Sequence, residues 1–268
     1  MSYTDAANAL LTAINFDRFN DIAALHAPDI TFHSFRGPSL HDNSAVVEWQ
    51  RAFLESYADC RYEEVEMFED GDTVCARATI SAKGYDWRLF HQRVVEVLRF
   101  NEDETVAERR LYGMLRDIEF DKAETAALKA ATEFPGGNAS EIRKLLDAFY
   151  AGVLAGDAAA KDQLDEKAVL IDSVYGSAEG PDAILDLLKQ TPKPPFGILR
   201  VTGTFAGPKD GVVELAIEPA RPRMADWVRV VEGKIKVIER YWMLREIGVN
   251  PLVEYSRDRH RRRVIMPA

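Results

Sequence analysis

The chain has 268 residues, 47% of them hydrophobic and 29% charged, with a formal net charge of -10. That length and balance exclude a disordered chain and leave room for two domains, each able to bury a core without metal or disulfide staples. The acidic balance argues against nucleic-acid binding, which needs clustered Lys and Arg. No apolar run approaches the span of a bilayer, and the start MSYTDAANALL lacks a signal-peptide pattern, so no membrane partner and a cytoplasmic location are expected.

Thr4 to Ile14 carries a cap candidate at Thr4 and puts Leu10, Leu11 and Ile14 on one side, which predicts a helix. Phe19, Ile22, Ala23 and Leu25 predict a short second helix ended by His26-Ala27-Pro28-Asp29. Ile30 to His33 alternates like a strand, and Gly37-Pro38 breaks the chain. A third helix, capped by Asn43 or Ser44, places Val46, Trp49, Phe53 and Tyr57 on one face. Arg61 to Phe68, Thr73 to Ala82, Trp87 to Phe100 and Val106 to Arg116 then read as an antiparallel meander. Its first turn contains the hairpin pair Asp70-Gly71.

Ala123 to Ala131 reads as helical, and Phe134-Pro135-Gly136-Gly137-Asn138 reads as a linker that cannot continue that helix. The order then recurs. Ile142, Leu145, Leu146, Phe149 and Val153 form a helical stripe ended at Ala155-Gly156-Asp157, and Val169 to Asp172 matches Ile30 to His33. Ile184, Leu187 and Leu188 carry a helix, Pro192, Pro194 and Pro195 stiffen a loop, and the last strands follow. The recurrence is sharpest where Tyr112-Gly113-Met114-Leu115-Arg116 returns as Tyr241-Trp242-Met243-Leu244-Arg245, which predicts an internal duplication. The expected divisions are a domain at 1–120, a linker at 121–139, a second domain at 140–250 and a basic tail at 251–268. Helices followed by antiparallel strands indicate an α+β domain, with three helices on a curved antiparallel sheet around an apolar pocket.

Alternation puts Phe90, Gln92, Val94, Glu96, Leu98 and Phe100 on one strand face. Glu96 among apolar neighbours is a candidate proton donor or, with equal weight, the ion-pair partner of Arg109 on the next strand. His33, beside Ser34, is a candidate base or an activator of that hydroxyl; the plainer alternative is a hydrogen-bonded or solvated histidine. Trp49, Phe53, Phe90, Arg109 and Leu111 are expected to line the first pocket. Cys60 and Cys75 lack metal-type spacing, no histidine pair has i, i+4 spacing, and no phosphate loop or nucleophile elbow occurs, so neither metal nor cofactor is expected. In the tail, Ser256 to Arg263 holds five Arg and one His, for which solvation or docking on the protein's own acidic surface outweighs a nucleic-acid role.

Two segments, LHAPDITFHSFRG at 25–37 and RVVEVLRFNEDETVAE at 93–108, resemble the helix-strand entry and the strand pair of the NTF2-like superfamily, in its SnoaL-like and ketosteroid-isomerase-like branch. The likeness covers about residues 3 to 118 and 140 to 248 and implies two tandem cone-shaped domains. Carried over, the isomerase's protonated acid falls on Glu96 and Asp226, and its proton-abstracting aspartate on Ser34 and Ser173. Its phenolic donor falls near Ala9 in the first half and on Phe149, next to Tyr150, in the second. By the same likeness, Phe149, Tyr150, Ser173, Asp226 and Trp242 are expected to line the second pocket. The resemblance also implies pairing through the outer sheet faces, which carry Tyr112 and Tyr241, as an intrachain pseudo-dimer or a homodimer. The expected function is a SnoaL-like pocket protein acting on or binding a small, largely apolar carbonyl molecule. Proton-transfer chemistry of cyclase, isomerase or hydratase type would lie in domain one, with Glu96 as acid and His33 as base. Noncatalytic ligand binding or structural pairing, with domain two as scaffold, is the alternative.

Overall fold

In the computed structural model, helix α1 (Tyr3–Asn15) starts from Ser2 rather than from Thr4. The Ser2 hydroxyl accepts from the Asp5 N–H while the Asp5 carboxylate accepts from the Ser2 N–H, a reciprocal box that satisfies two free helix donors. After α2 (Phe19–Leu25) the chain enters β1 (His26–Ser34) directly, so His26-Ala27-Pro28-Asp29 is strand and not a helix terminator. Pro28 is tolerated because the register slips between His26 and Thr31, where no ladder N–H is required. Helix α3 (Asn43–Glu55) is capped by Asp42, whose carboxylate accepts from the Ala45 N–H at 2.8 Å. Asn43, predicted as a cap, instead donates its amide to the Ala23 and His26 carbonyls at 2.8 and 3.0 Å and ties α3 to β1.

The structure describes residues 2–83, 85, 89–114, 136–190, 199–217 and 221–244. The readings at Trp87, at Ala123 to Ala131, at Phe134-Pro135, at Pro192, Pro194 and Pro195, and in the basic tail lie outside them. So do Leu115, Arg116 and Arg245 of the repeated pentapeptide and the side chain of Phe90. The chain divides into two units, residues 1–117 with 243–268, and residues 118–242.

In unit 1, β2 (Asp59–Asp70), β3 (Thr73–Lys83), β4 (Leu89–Phe100) and β5 (Val106–Gly113) pair antiparallel in sequence order, and β1 runs parallel beside β5. In unit 2, α4 (Ala139–Ala155) is capped by Asn138 and stopped by Gly156, whose φ of 72° is the left-handed conformation that glycine reaches without strain. A 3-10 segment (Ala158–Gln163) stands where unit 1 has α2. Then come β6 (Leu164–Asp172), β7 (Gly176–Glu179), α5 (Pro181–Gln190) and the antiparallel series β8 (Leu199–Ala206), β9 (Asp210–Ile217), β10 (Arg221–Val231) and β11 (Lys234–Trp242). β6 is parallel to β11, and β7 folds back on β6, where unit 1 has only the single bridge Phe32–Leu40. Cys60 and Cys75 are buried free thiols, and burial pushes Cys60 up to about 12, so it stays protonated.

Two side chains dominate the packing of β1 in unit 1. The Phe35 ring, just past the strand end, lies over Gly113, where an added Cβ would come within 2.8 Å of ring carbons. His26 is 2% exposed, and neither ring nitrogen has a protein hydrogen-bond partner. Burial, and after it the Arg109 guanidinium, hold this imidazole down to about 3 from an ordinary 6.5.

Gly113→Ala is therefore expected to lower stability by about 1–3 kcal/mol through overpacking, read from the urea midpoint. His26 supplies a pH dependence. The unfolded chain takes up its proton as pH falls through 6.5 and the folded chain only near 3, so stability is lost across that window. The loss is about 1.4 kcal/mol per pH unit. Urea midpoints measured from pH 6.5 down to about 5, above the range where most carboxylates titrate, should fall more steeply in the wild type than in His26→Leu.

Candidate functional site

Strand parity and ladder register decide which side chains meet on the helix-covered face of each sheet. In unit 1, Glu96 on β4 is cross-strand partner to Leu111 on β5, while Phe32 and Ser34 on β1 are partners of Arg109 and Leu111. Arg109 therefore enters the same layer as Glu96, diagonally across the ladder. Its Nη2 donates to Glu96 Oε1 at 2.8 Å and its Nε to Oε2 at 3.3 Å. Nη1 donates to Gln50 Oε1 on α3 at 3.2 Å, and the guanidinium carbon lies 5.0 Å from the Phe32 ring centroid. Tyr62 on β2 donates its hydroxyl to Glu96 Oε1 at 2.8 Å. Burial, and after it the Glu96 charge, raise the Tyr62 phenol well above its ordinary value, so it remains a donor.

Arginine is always charged in proteins, so Glu96 is its counter-ion, with hydrogen bonds to both carboxylate oxygens. This is the ion-pair alternative, not the free protonated acid that the isomerase likeness implies. Arg109 and Glu96 are 0% and 1% exposed. Removing either leaves a buried uncompensated charge, worth about 3–5 kcal/mol.

Of the other residues singled out in unit 1, Leu111 is buried on this face. His33 and Ser34 alternate across β1, as adjacent strand residues must. The His33 ring nitrogen Nδ1 is 2.7 Å from the Ser39 hydroxyl, and the buried Ser34 hydroxyl accepts from the Arg36 N–H at 3.2 Å. The expected relay between the two thus gives way to two separate loop contacts. Trp49 and Phe53 stack at 5.6 Å, and Phe53 meets Tyr57 edge-on at 5.5 Å, making an aromatic wall along α3. Arg36 lies against that wall, 4.6 Å from the Phe53 centroid, and donates to Gln92 Oε1 at 2.7 Å.

Unit 2 builds a related cluster from different positions. Arg240 on β11 donates Nε to Asp226 Oδ1 at 2.7 Å and Nη2 to Oδ2 at 2.6 Å, a two-pronged pair. Tyr150 on α4 donates its hydroxyl to Asp226 Oδ2 at 2.6 Å, so this phenol caps the acid. Phe149, fully buried, packs edge-on to it at 5.1 Å.

The registers also correct the correspondence between the halves. Glu96 pairs with Leu111, and Asp226 with Arg240, so Leu111 and Arg240 hold matching places. Ser34 is the parallel partner of Leu111, and Asp172 of Arg240. Asp172, not Ser173, therefore occupies the Ser34 place, and the half-buried Ser173 falls in the turn beyond it, matching Phe35. Matching Val169–Asp172 to Ile30–His33 by sequence is displaced by one residue from the ladder register, in which Leu170 stands against Ile238 where Phe32 stands against Arg109.

Asp172 is 2% exposed. Its Oδ1 accepts from the Val174 and Tyr175 N–H groups at 2.8 and 3.1 Å and from the Trp242 indole at 3.0 Å. Its Oδ2 has no protein partner, nor has Nη1 of the neighbouring Arg240. Burial holds the Asp172 carboxyl above its ordinary range, with the Arg240 guanidinium acting the other way. Tyr175, 40% exposed, places its ring 5.7 Å from that of Trp242.

Tyr62, Gln50, Arg240 and the role of Asp172 were missed by sequence reasoning. The parity that put Glu239 and Tyr241 on the outer face already puts Arg240 and Trp242 on the inner one. Nothing local marks Tyr62 or Gln50, which converge from β2 and α3. A cavity of about 580 Å³ lies elsewhere in unit 2, lined by Asn138, Glu141, Ile142, Leu145, Val230 and Gly233 among others, and touches none of these acids. Among the described residues, no group of three or more His, Cys, Asp or Glu is placed to hold a metal ion. No described helix is long and apolar enough to cross a membrane.

Comparison with known proteins gives likenesses over less than half of the chain. No curated protein matches the chain. Solved structures with similarity include an NTF2-like protein of unknown function from Exiguobacterium, 22% identical over 42% of this chain and 99% of that one, at TM-score 0.36. Another is a protein with a cystatin-like fold from Xanthomonas campestris, 19% identical over 47% of this chain and 95% of that one, at TM-score 0.39. A third has a ketosteroid isomerase-like fold and comes from Catenulispora acidiphila, at 15% identity over 44% of this chain and 87% of that one, with TM-score 0.38. A model of the SnoaL-like domain matches residues 7–109. That match lies wholly within unit 1.

Proposed function

We propose that the chain is a tandem SnoaL-type pocket protein in which unit 1 is scaffold and unit 2 carries the reactive group, Asp172. Three features support two copies of one plan. Element order is shared, an acid sits at the same ladder place in the penultimate strand, and one large-for-small exchange is reciprocal. Phe35 and Gly113 in unit 1 stand where Ser173 and Trp242 stand in unit 2.

The observation that carries the functional reading is Asp172 Oδ2, buried and without a protein partner beside an equally open Arg240 Nη1. Glu96 offers no such opening, since Arg109 and Tyr62 occupy its oxygens. A carboxylate made more basic by burial is suited to abstract a proton α to a carbonyl. The C–H electron pair moves to the carbonyl carbon–oxygen unit as an enolate, whose oxygen is stabilised by a donor such as Arg240 Nη1. The proton held on Asp172 is then returned to carbon. Trp242 and the phenol of Tyr150 orient the two reacting groups rather than touch the substrate, because the first binds Asp172 and the second binds Asp226.

The test is exchange of the α-hydrogens of acetone and cyclohexanone for deuterium, followed by proton NMR. Wild type is expected to accelerate exchange, and Asp172→Asn to lose it by at least about 100-fold. Glu96→Gln should keep the exchange while losing about 3–5 kcal/mol of stability. If Glu96→Gln does not fold, Tyr62→Phe, which strips one hydrogen bond from the same carboxylate, gives the equivalent readout. No acceleration by wild type, or loss of exchange in the folded Glu96 or Tyr62 variant, refutes the assignment.

A further inference from the structure

Resting on that reading of Asp172, we infer that unit 2 also holds, in the place of the enolising carbonyl compound and in competition with it, ligands with a planar head group in which a carbonyl oxygen stands beside an O–H or N–H, as in a carboxylic acid or primary carboxamide. The argument is one of unfilled valences. Asp172 and Arg240 are register partners on adjacent parallel strands, so their side chains stand side by side on one face. Every other polar atom in the cluster is engaged. Both Asp226 oxygens are held by Arg240 and Tyr150, and Asp172 Oδ1 takes two backbone N–H groups and the Trp242 indole. What is left is one donor, Arg240 Nη1, and one carboxylate acceptor, Asp172 Oδ2.

A head group that meets both must accept and donate from neighbouring atoms. A ketone accepts from Arg240 but gives Asp172 nothing, which leaves a buried acceptor unsatisfied and costs about 1–3 kcal/mol. An ammonium ion satisfies Asp172 but faces the Arg240 guanidinium. A carboxylic acid shares its single proton with Asp172, so that the cluster holds two acids and a shared proton against one arginine beside the Asp226 pair. The amide meets the same two atoms without that proton. The exposed Tyr175 ring, 5.7 Å from that of Trp242, points to access from the β6–β7 turn.

The experiment titrates the full chain with acetamide, acetate, acetone and methylammonium and follows the Trp242 indole N–H resonance, which reports on Asp172 directly. Acetamide and acetate are expected to shift it with at least about tenfold tighter binding than acetone, and methylammonium least of all. Acetate binding should take up a proton. In Asp172→Asn, whose side-chain amide now donates, the preference for acetamide over acetone should fall towards unity. Acetone binding as tightly as acetamide, methylammonium binding best, or no indole shift with acetamide or acetate would overturn the inference. The two readings separate cleanly. Acetone exchange without an acetamide preference keeps Asp172 as base and removes the head-group rule. An acetamide preference without exchange keeps the rule and removes the chemistry.

Discussion

A carboxylate facing a guanidinium in a buried layer between helices and sheet is the constraint around which each unit is built. Taking two charges out of water is costly, and close geometry with further hydrogen bonds offsets it. Both units supply that close geometry, but with side chains from different places. Unit 1 takes its arginine, Arg109, from two residues before the ladder partner of the acid, and its phenol from β2. Unit 2 takes Arg240 from the ladder partner itself and its phenol from α4. The requirement is charge balance in a buried layer, and more than one set of positions supplies it.

That difference in placement separates the units chemically. With Arg109 set back along β5, the place beside Ser34 is filled by apolar Leu111, and the spare guanidinium nitrogen reaches Gln50. The pair is closed. With Arg240 at the ladder place, its parallel register partner on β6 is Asp172. Arg240 turns Nε and Nη2 to Asp226, and Asp172 turns Oδ1 to two backbone N–H groups and the Trp242 indole, so Arg240 Nη1 and Asp172 Oδ2 have no protein partner. An added acid at one strand end thus turns a structural ion pair into a cluster with reactive capacity.

Packing follows the same exchange. Phe35 fills unit 1 at the β1 end and demands glycine at 113, since no Cβ fits beneath its ring. Where unit 2 has the small Ser173, the matching place on β11 admits Trp242, whose indole anchors Asp172. The single mismatch in the repeated pentapeptide is therefore half of a reciprocal large-for-small exchange, and in unit 2 it also supplies a hydrogen bond to the acid.

By itself the sequence determined the element types, the helix–strand order in both halves, the parity that puts Glu96 and Arg109 on one face, and the likeness of residues 7–109 to a SnoaL-like domain. Those rest on periodicities of 3.6 and 2, on caps and on turn residues, all of which act over a few positions. Only the tertiary structure decided that Glu96 is a paired anion, that His33 and Ser34 go separate ways, and that Asp172 takes the Ser34 place. Each of these depends on ladder register or on convergence of remote elements. Tyr62 and Gln50 reach Glu96 and Arg109 across tens of residues, and a one-residue difference in register moves Asp172 from the place of His33 to that of Ser34.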